Sequence, residues 1–169
     1  MPGARYRVTQ FARLFTGRLT LQARAEAQTW LAPPLFELFC RMTPAEQYHA
    51  YEVRQTLAAQ RQVDPDLLTA ALLHDVGKTR MPLAAWERAL IVLGNHLAPQ
   101  AADAWGRMGG SPLWWRRPFV VSRQHPAWGA EMVRVAGGAP RTVELILHHQ
   151  NNHPLDPMLQ ALQSADNSN

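Results

Sequence analysis

Lysine is almost missing from this chain of 169 residues. Of seventeen basic residues one is a lysine, Lys78, which leaves sixteen arginines. Cysteine is equally scarce. Cys40 stands alone, so no intramolecular disulfide can form and nothing points to an oxidising compartment. Within the apolar run LFELFCRM it reads as a small buried hydrophobe. Charged residues make up only 18% against 47% hydrophobic, a balance that excludes intrinsic disorder and suits one globular domain. No apolar stretch reaches the ~18 residues of a membrane span. The start, MPGARYRVTQF, lacks the apolar core of a signal peptide. The expectation is a soluble cytoplasmic protein without a membrane partner. Paired alternating segments are absent too, and Phe119-Val120-Val121 is too short to argue for a strand.

What remains is helical punctuation. Val8, Phe11, Leu14 and Phe15 recur at helical spacing within 5–31, and Pro33-Pro34 opens a short apolar helix through Met42. Thr43-Pro44-Ala45-Glu46 has a capping-box spacing and Pro at the first helical position, which predicts a helix to about residue 61. Asp64-Pro65-Asp66 starts LLTAALLHDVG, with Gly77 as its stop. Pro82 opens a helix to the neighbourhood of Leu97, and a looser region spans Pro99 to Pro118. Then follow HPAWGAEMVRVAG, PRTVELILHHQ and LDPMLQALQSAD, each closed by Gly, Pro, Asn or the last residues. The sum is an all-α fold of seven to nine helices.

The net charge of +4 suits anionic partners. Its arginines are scattered and lack aromatic interleaving, so there is no strong nucleic-acid signature. Either a small phosphate-bearing molecule or a merely arginine-rich surface fits. Five histidines carry more information. His49 lies on a helix face, and His74, His125, His148 and His149 fall near predicted helix ends. The leads AALLHD and LILHHQ put titratable side chains at the inner ends of apolar helices, where uncompensated burial costs several kcal/mol. A pair of divalent metals supplies that compensation through neutral imidazole and carboxylate ligands. Asp75 has a particular capacity, since one carboxylate oxygen can serve each of two ions.

The set His49, His74-Asp75 and Asp166 resembles the motifs of the HD superfamily of metal-dependent phosphohydrolases. HDVGK is similar to the HDxGK signature of its HD-GYP-like branch, and HPAWGAEMV (125–133) and HHQ (148–150) are similar to that branch's second-metal histidines. The resemblance implies a single HD-type domain over 1–169, with an N-terminal helical extension (1–43) and a metal-binding core (44–169). It implies a dinuclear metal site in the core of the helical bundle. One metal is held by His49, His74, Asp75 and Asp166, the other by His125, His148 and His149, with Asp75 bridging. Water activated between the ions is then the nucleophile, and Lys78 approaches the reacting phosphate. Iron or manganese suits these ligands foremost, with zinc, nickel, cobalt and magnesium as further candidates. The implied activity is hydrolysis of a phosphoester or phosphoanhydride in a small substrate, nucleotides included. A di-iron oxygenase on the same fold and a non-catalytic metal- or nucleotide-sensing domain are the alternatives.

The chemistry of Lys78 agrees. After the Gly77 turn a compact ammonium with three donors suits a crowded metal-phosphate site better than a planar guanidinium. Leu159, Leu162 and Asp166 recur at i, i+3 and i+7, which puts Asp166 on the inward face of the last helix. The pattern departs from the HD-GYP branch where Gln150 follows the HH pair and no GYP segment appears, so cyclic di-nucleotide cleavage is not expected. Arg116, Arg117, Arg123 and His153 are weaker candidates for contacts to a substrate phosphate.

Overall fold

The structure, a computed structural model, describes residues 17–107 and 113–169. Within them the chain forms α1 (Leu21–Trp30), α2 (Pro33–Arg41), α3 (Pro44–Ala59) and α4 (Pro65–Leu73). A 3-10 turn (Val76–Arg80) comes next, followed by α5 (Ala85–Leu97), α6 (Pro99–Arg107), α7 (Arg117–Val135), α8 (Pro140–His148) and α9 (Pro157–Ser168). The described residues contain no strand, and the all-α expectation holds.

The apolar helix α4 is the centre of the bundle. Asp64 caps it by accepting from the backbone N–H groups of Asp66 and Leu67 at 2.9 and 3.0 Å. Leu67, Ala70, Ala71, Leu72 and Leu73 are all fully buried, each leucine contributing roughly 1.5–3 kcal/mol of transfer free energy. Helices α3 and α8 pack against α4, and α9 closes over α3. The core continues through Val53, Leu57, Leu145, Ile146 and Leu162. Helix α3 begins with the capping box that the sequence predicts: Glu46 N–H donates to Thr43 Oγ1, and Thr43 N–H donates to the Glu46 carboxylate.

Several boundaries differ from the sequence reading, α5 among them, which begins at Ala85 and not at Pro82. Helix α1 begins at Leu21 behind a Thr20 cap, while Val8, Phe11, Leu14 and Phe15 lie outside the described residues. The region from Pro99 onwards holds α6, which packs on α7. Gly106 is no loop residue there. A Cβ on it would lie 2.7 Å from both the Phe119 carbonyl oxygen and Arg123 Cβ, so it permits close helix contact. Helix α7 starts at Arg117, well before His125, and runs through Pro126.

One further difference matters most for the site. Helix α4 stops at Leu73, not at Gly77. Asp75 has φ −96° and ψ 0°, in the sparsely used bridge region where active-site residues are often found. The chain then tightens into the 3-10 turn. Gly77 lets that turn lie directly on α7: a Cβ there would sit 2.0 Å from the His125 carbonyl oxygen and 2.6 Å from Gly129 N. The close approach brings Asp75 over His125.

Candidate metal centre

Three buried histidines are aimed by one device. The last four carbonyls of a helix lack intrahelical partners. His74 directs Nδ1 to the Ala71 carbonyl at 2.9 Å, in the last turn of α4. His149 does the same to Ile146 at the end of α8, at 2.7 Å. His125 lies mid-helix, but the following Pro126 has no N–H to offer the Ser122 carbonyl. The His125 Nδ1 lies 3.0 Å from that oxygen and 3.0 Å from the Val121 oxygen. A carbonyl beside Nδ1 places a proton there, so in the neutral ring each Nε2 presents a lone pair. Such backbone partners orient metal-binding imidazoles.

The Nε2 atoms converge on carboxylates. Asp75 Oδ1 lies 3.3 Å from His125 Nε2, and its Oδ2 lies 3.6 Å from His74 Nε2. Asp166 Oδ1 stands 2.8 Å from His49 Nε2 and 3.5 Å from His74 Nε2. Two groups result, His49–His74–Asp166 and Asp75–His125–His149, each offering three ligand atoms within 4.8 Å of one another. Asp75 turns one oxygen toward each group.

These groups fit divalent ions. His74 Nε2 is buried with no close hydrogen-bond partner, only the Asp166 and Asp75 oxygens at 3.5 and 3.6 Å, an arrangement that a cation between them completes. His125 Nε2 and His149 Nε2 face each other at 3.3 Å. With both rings neutral this opposes two lone pairs, which a shared cation relieves. The titration pattern agrees. Burial disfavours the His74 cation, yet Asp75 and Asp166 outweigh it and push the imidazole up to about 9. Without a metal, a proton takes the cation's place. Burial and the neighbouring His74 and His125 lower His149 to about 3, keeping it neutral. Burial opposes the charge on Asp75, but Lys78, His74 and His125 hold its carboxyl well below the usual range. Asp166 is likewise lowered despite burial, chiefly by His74 and His49.

Asp166 is carried on the packed helix α9. Leu159, Leu162 and Ala165 are buried along the same helix, and Asn169 Nδ2 donates to Thr56 Oγ1 of α3 at 2.9 Å. Lys78 Nζ donates to Asp75 Oδ2 at 2.6 Å.

Residues 47–168 of the sequence match the family model of the HD domain, more than two thirds of the chain. The chain belongs to the HD-domain family. No curated protein and no solved structure matches it. Family membership agrees with the helical bundle and with divalent-metal chemistry at the two groups.

One expected ligand of this HD domain lies apart. His148 is outside both groups, and its Nδ1 stands 3.1 Å from Asn151 Nδ2. Neighbouring helical side chains diverge by ~100°, and at the end of α8 it is the His149 ring that is buried in the centre while His148 is half-exposed. The other expected substrate contacts are also elsewhere. Arg117 donates to Glu87 at 2.8 Å and to the Pro82 carbonyl at 2.6 Å. Arg123 pairs with Asp103 at 3.1 Å, Arg116 lies over the Trp115 ring, and His153 is exposed.

A pocket of about 130 Å³ opens on the centre. His49, Asp75 and Asp166 line it together with Glu46, Lys78, Arg88 and Gln150. In the sequence Glu46 reads only as a helix cap and Arg88 has no role. Neither carries a local signal, since forty-two positions separate them and only the fold pairs Arg88 with Glu46, at 2.9 Å.

Proposed function

We propose that this HD domain is a metal-dependent phosphohydrolase that cleaves a phosphoester or phosphoanhydride bond of a small substrate, nucleotides included. The observation that carries the reading is Asp75, one oxygen facing each group and its charge adjoining Lys78 at the floor of an open pocket. Asp75 would bridge two ions, one held with His49, His74 and Asp166, the other with His125 and His149. The ions supply Lewis acidity and make water acidic enough to attack phosphorus at neutral pH.

The chain's own residues supply the rest. The Nδ1–carbonyl bonds fix the three rings, so little reorganisation accompanies metal uptake. Lys78 balances the Asp75 charge and, once cations occupy the site, can turn its ammonium to the phosphoryl oxygens. Water adds to phosphorus, the P–O bond to the leaving group breaks, and the departing oxygen takes up a proton.

The test is metal analysis of anaerobically purified protein together with a nucleotide and phosphoester screen. Asp75→Ala is expected to abolish activity and to lower the metal content below two per chain. Retention of two ions in that variant would sink the bridging role. Turnover that needs dioxygen, with iron bound and no phosphate released, would replace the hydrolase by the oxygenase. Full metal occupancy without any turnover would leave the sensing domain.

A further inference from the structure

We infer that Arg88 receives a second anionic group of the substrate, so that the site selects a molecule with two phosphoryl groups in tandem, a phosphoanhydride, over a phosphomonoester. This rests on the phosphohydrolase reading and deepens it.

The size of the pocket bounds what enters. Its 130 Å³ is small beside the roughly 300–1,000 Å³ of sites that enclose a whole small molecule. That is room for the anionic end of a substrate, with a nucleoside left outside. No Trp, Tyr or Phe side chain is among the described residues lining it. Trp105 packs against Trp115, and Trp128 lies under Arg80, so those rings offer no stacking platform here. Recognition inside the pocket is recognition of charge.

Two cations line it, in different relations to the metal groups. Lys78 is bonded to Asp75 and belongs with the reacting phosphoryl. Arg88 comes from α5, a different element of the wall, and is held by Glu46 Oε1. Glu46 is itself fixed, since its Oε2 accepts from Thr43 N–H at 3.0 Å in the capping box of α3. The carboxylate therefore cannot swing, and it presents the guanidinium at a set place in the wall. A guanidinium has five N–H donors in a planar fork. Among the described contacts of Arg88 one terminal nitrogen serves Glu46, which leaves donors for a phosphate in the bidentate geometry that arginine favours.

A purely structural ion pair tying α5 to α3 would affect every anion alike, and this separates the two roles. The probes are methylphosphonate and methylenediphosphonate, neither of which hydrolyses, titrated calorimetrically into manganese-loaded full chain at fixed free Mn²⁺. The wild type is expected to bind the diphosphonate more tightly. Arg88→Gln should weaken the diphosphonate by about 10- to 100-fold, the range of charge-assisted hydrogen bonds, and the monophosphonate by less than about threefold, with manganese content unchanged. Because Arg88→Gln strands the buried Glu46 charge, the double variant Glu46→Gln/Arg88→Gln should repeat the pattern in a chain without that strain. Equal weakening of both probes, weakening of neither, or a wild type without preference for the diphosphonate overturns the inference and leaves the hydrolase reading standing. A wild type that binds neither probe overturns both.

Discussion

Gly77→Ala puts the geometry of the centre to its hardest test. A Cβ at this position meets the His125 carbonyl oxygen at 2.0 Å, Gly129 N at 2.6 Å and the His125 carbonyl carbon at 2.9 Å. Carbon–oxygen contacts rarely close below about 3.3 Å, so the first clash alone asks for a separation of about 1.3 Å. All three atoms are backbone of α7 and cannot rotate away. The turn and the helix must move apart, and overpacking of this kind costs about 1–3 kcal/mol. With no flexible side chain to yield, about 3 kcal/mol is expected. For a chain of this size 1 kcal/mol shifts Tm by roughly 2–4 °C, which gives a fall of about 6–12 °C. Thermal and urea unfolding of chelator-treated protein measure it. The same displacement carries Asp75 from His125, now 3.3 Å away, so metal analysis should find the Asp75–His125–His149 group emptied first. Gly129→Ala is the graded control. Its Cβ would meet Gly77 N at 3.1 Å and Ile146 and Val76 carbons at 3.4 Å, and about 1 kcal/mol is expected. If Gly77→Ala unfolds within about 0.5 kcal/mol of the wild type, or Gly129→Ala is the more damaging, the contact does not hold the turn in place.

Asp166→Ala removes the carboxylate that faces His49 and His74. Elemental analysis should find one ion per chain instead of two, and a full complement would refute the grouping. In chelator the His74 imidazole titrates near 9 in the folded chain against 6.5 as its ordinary value. A raised pKa stabilises the fold fully below about 6.5, and that stability is lost as pH rises through 9. The gap in unfolding free energy between wild type and His74→Gln should therefore shrink from pH 6 to 10. A gap that widens would contradict the sign. Metal uptake displaces this proton, so affinity for manganese should weaken toward low pH. Lys78→Arg should keep fold and metal content but lose most turnover, because a planar fork fits poorly where an ammonium lies 2.6 Å from Asp75. Unchanged kcat would mean that any cation serves.

The helices themselves were legible where local chemistry sets them. Thr43, Asp64 and the prolines at helix starts announced α3, α4 and α8, and the structure keeps those starts. Ends and interruptions were less so. Gly77 and Gly106 read as breakers, yet each answers a helix packed against it, a relation with no local trace. The same holds for Pro126, which looked like a helix start and sits inside α7. Its missing N–H leaves a carbonyl for the His125 ring.

By itself the sequence determined that this chain is all-α, that His and Asp side chains stand at the ends of apolar helices, and that they match the HD pattern. Those properties follow from periodicity, capping and residue chemistry, which act within a few residues. Only the tertiary structure decided that His149 and not His148 points inward, and that Asp75 divides its oxygens between two groups. It alone placed Arg88 beside Glu46 at the pocket. The direction of a ring depends on which carbonyl lacks a partner and which helix lies opposite. Both are settled by packing between segments far apart in the chain.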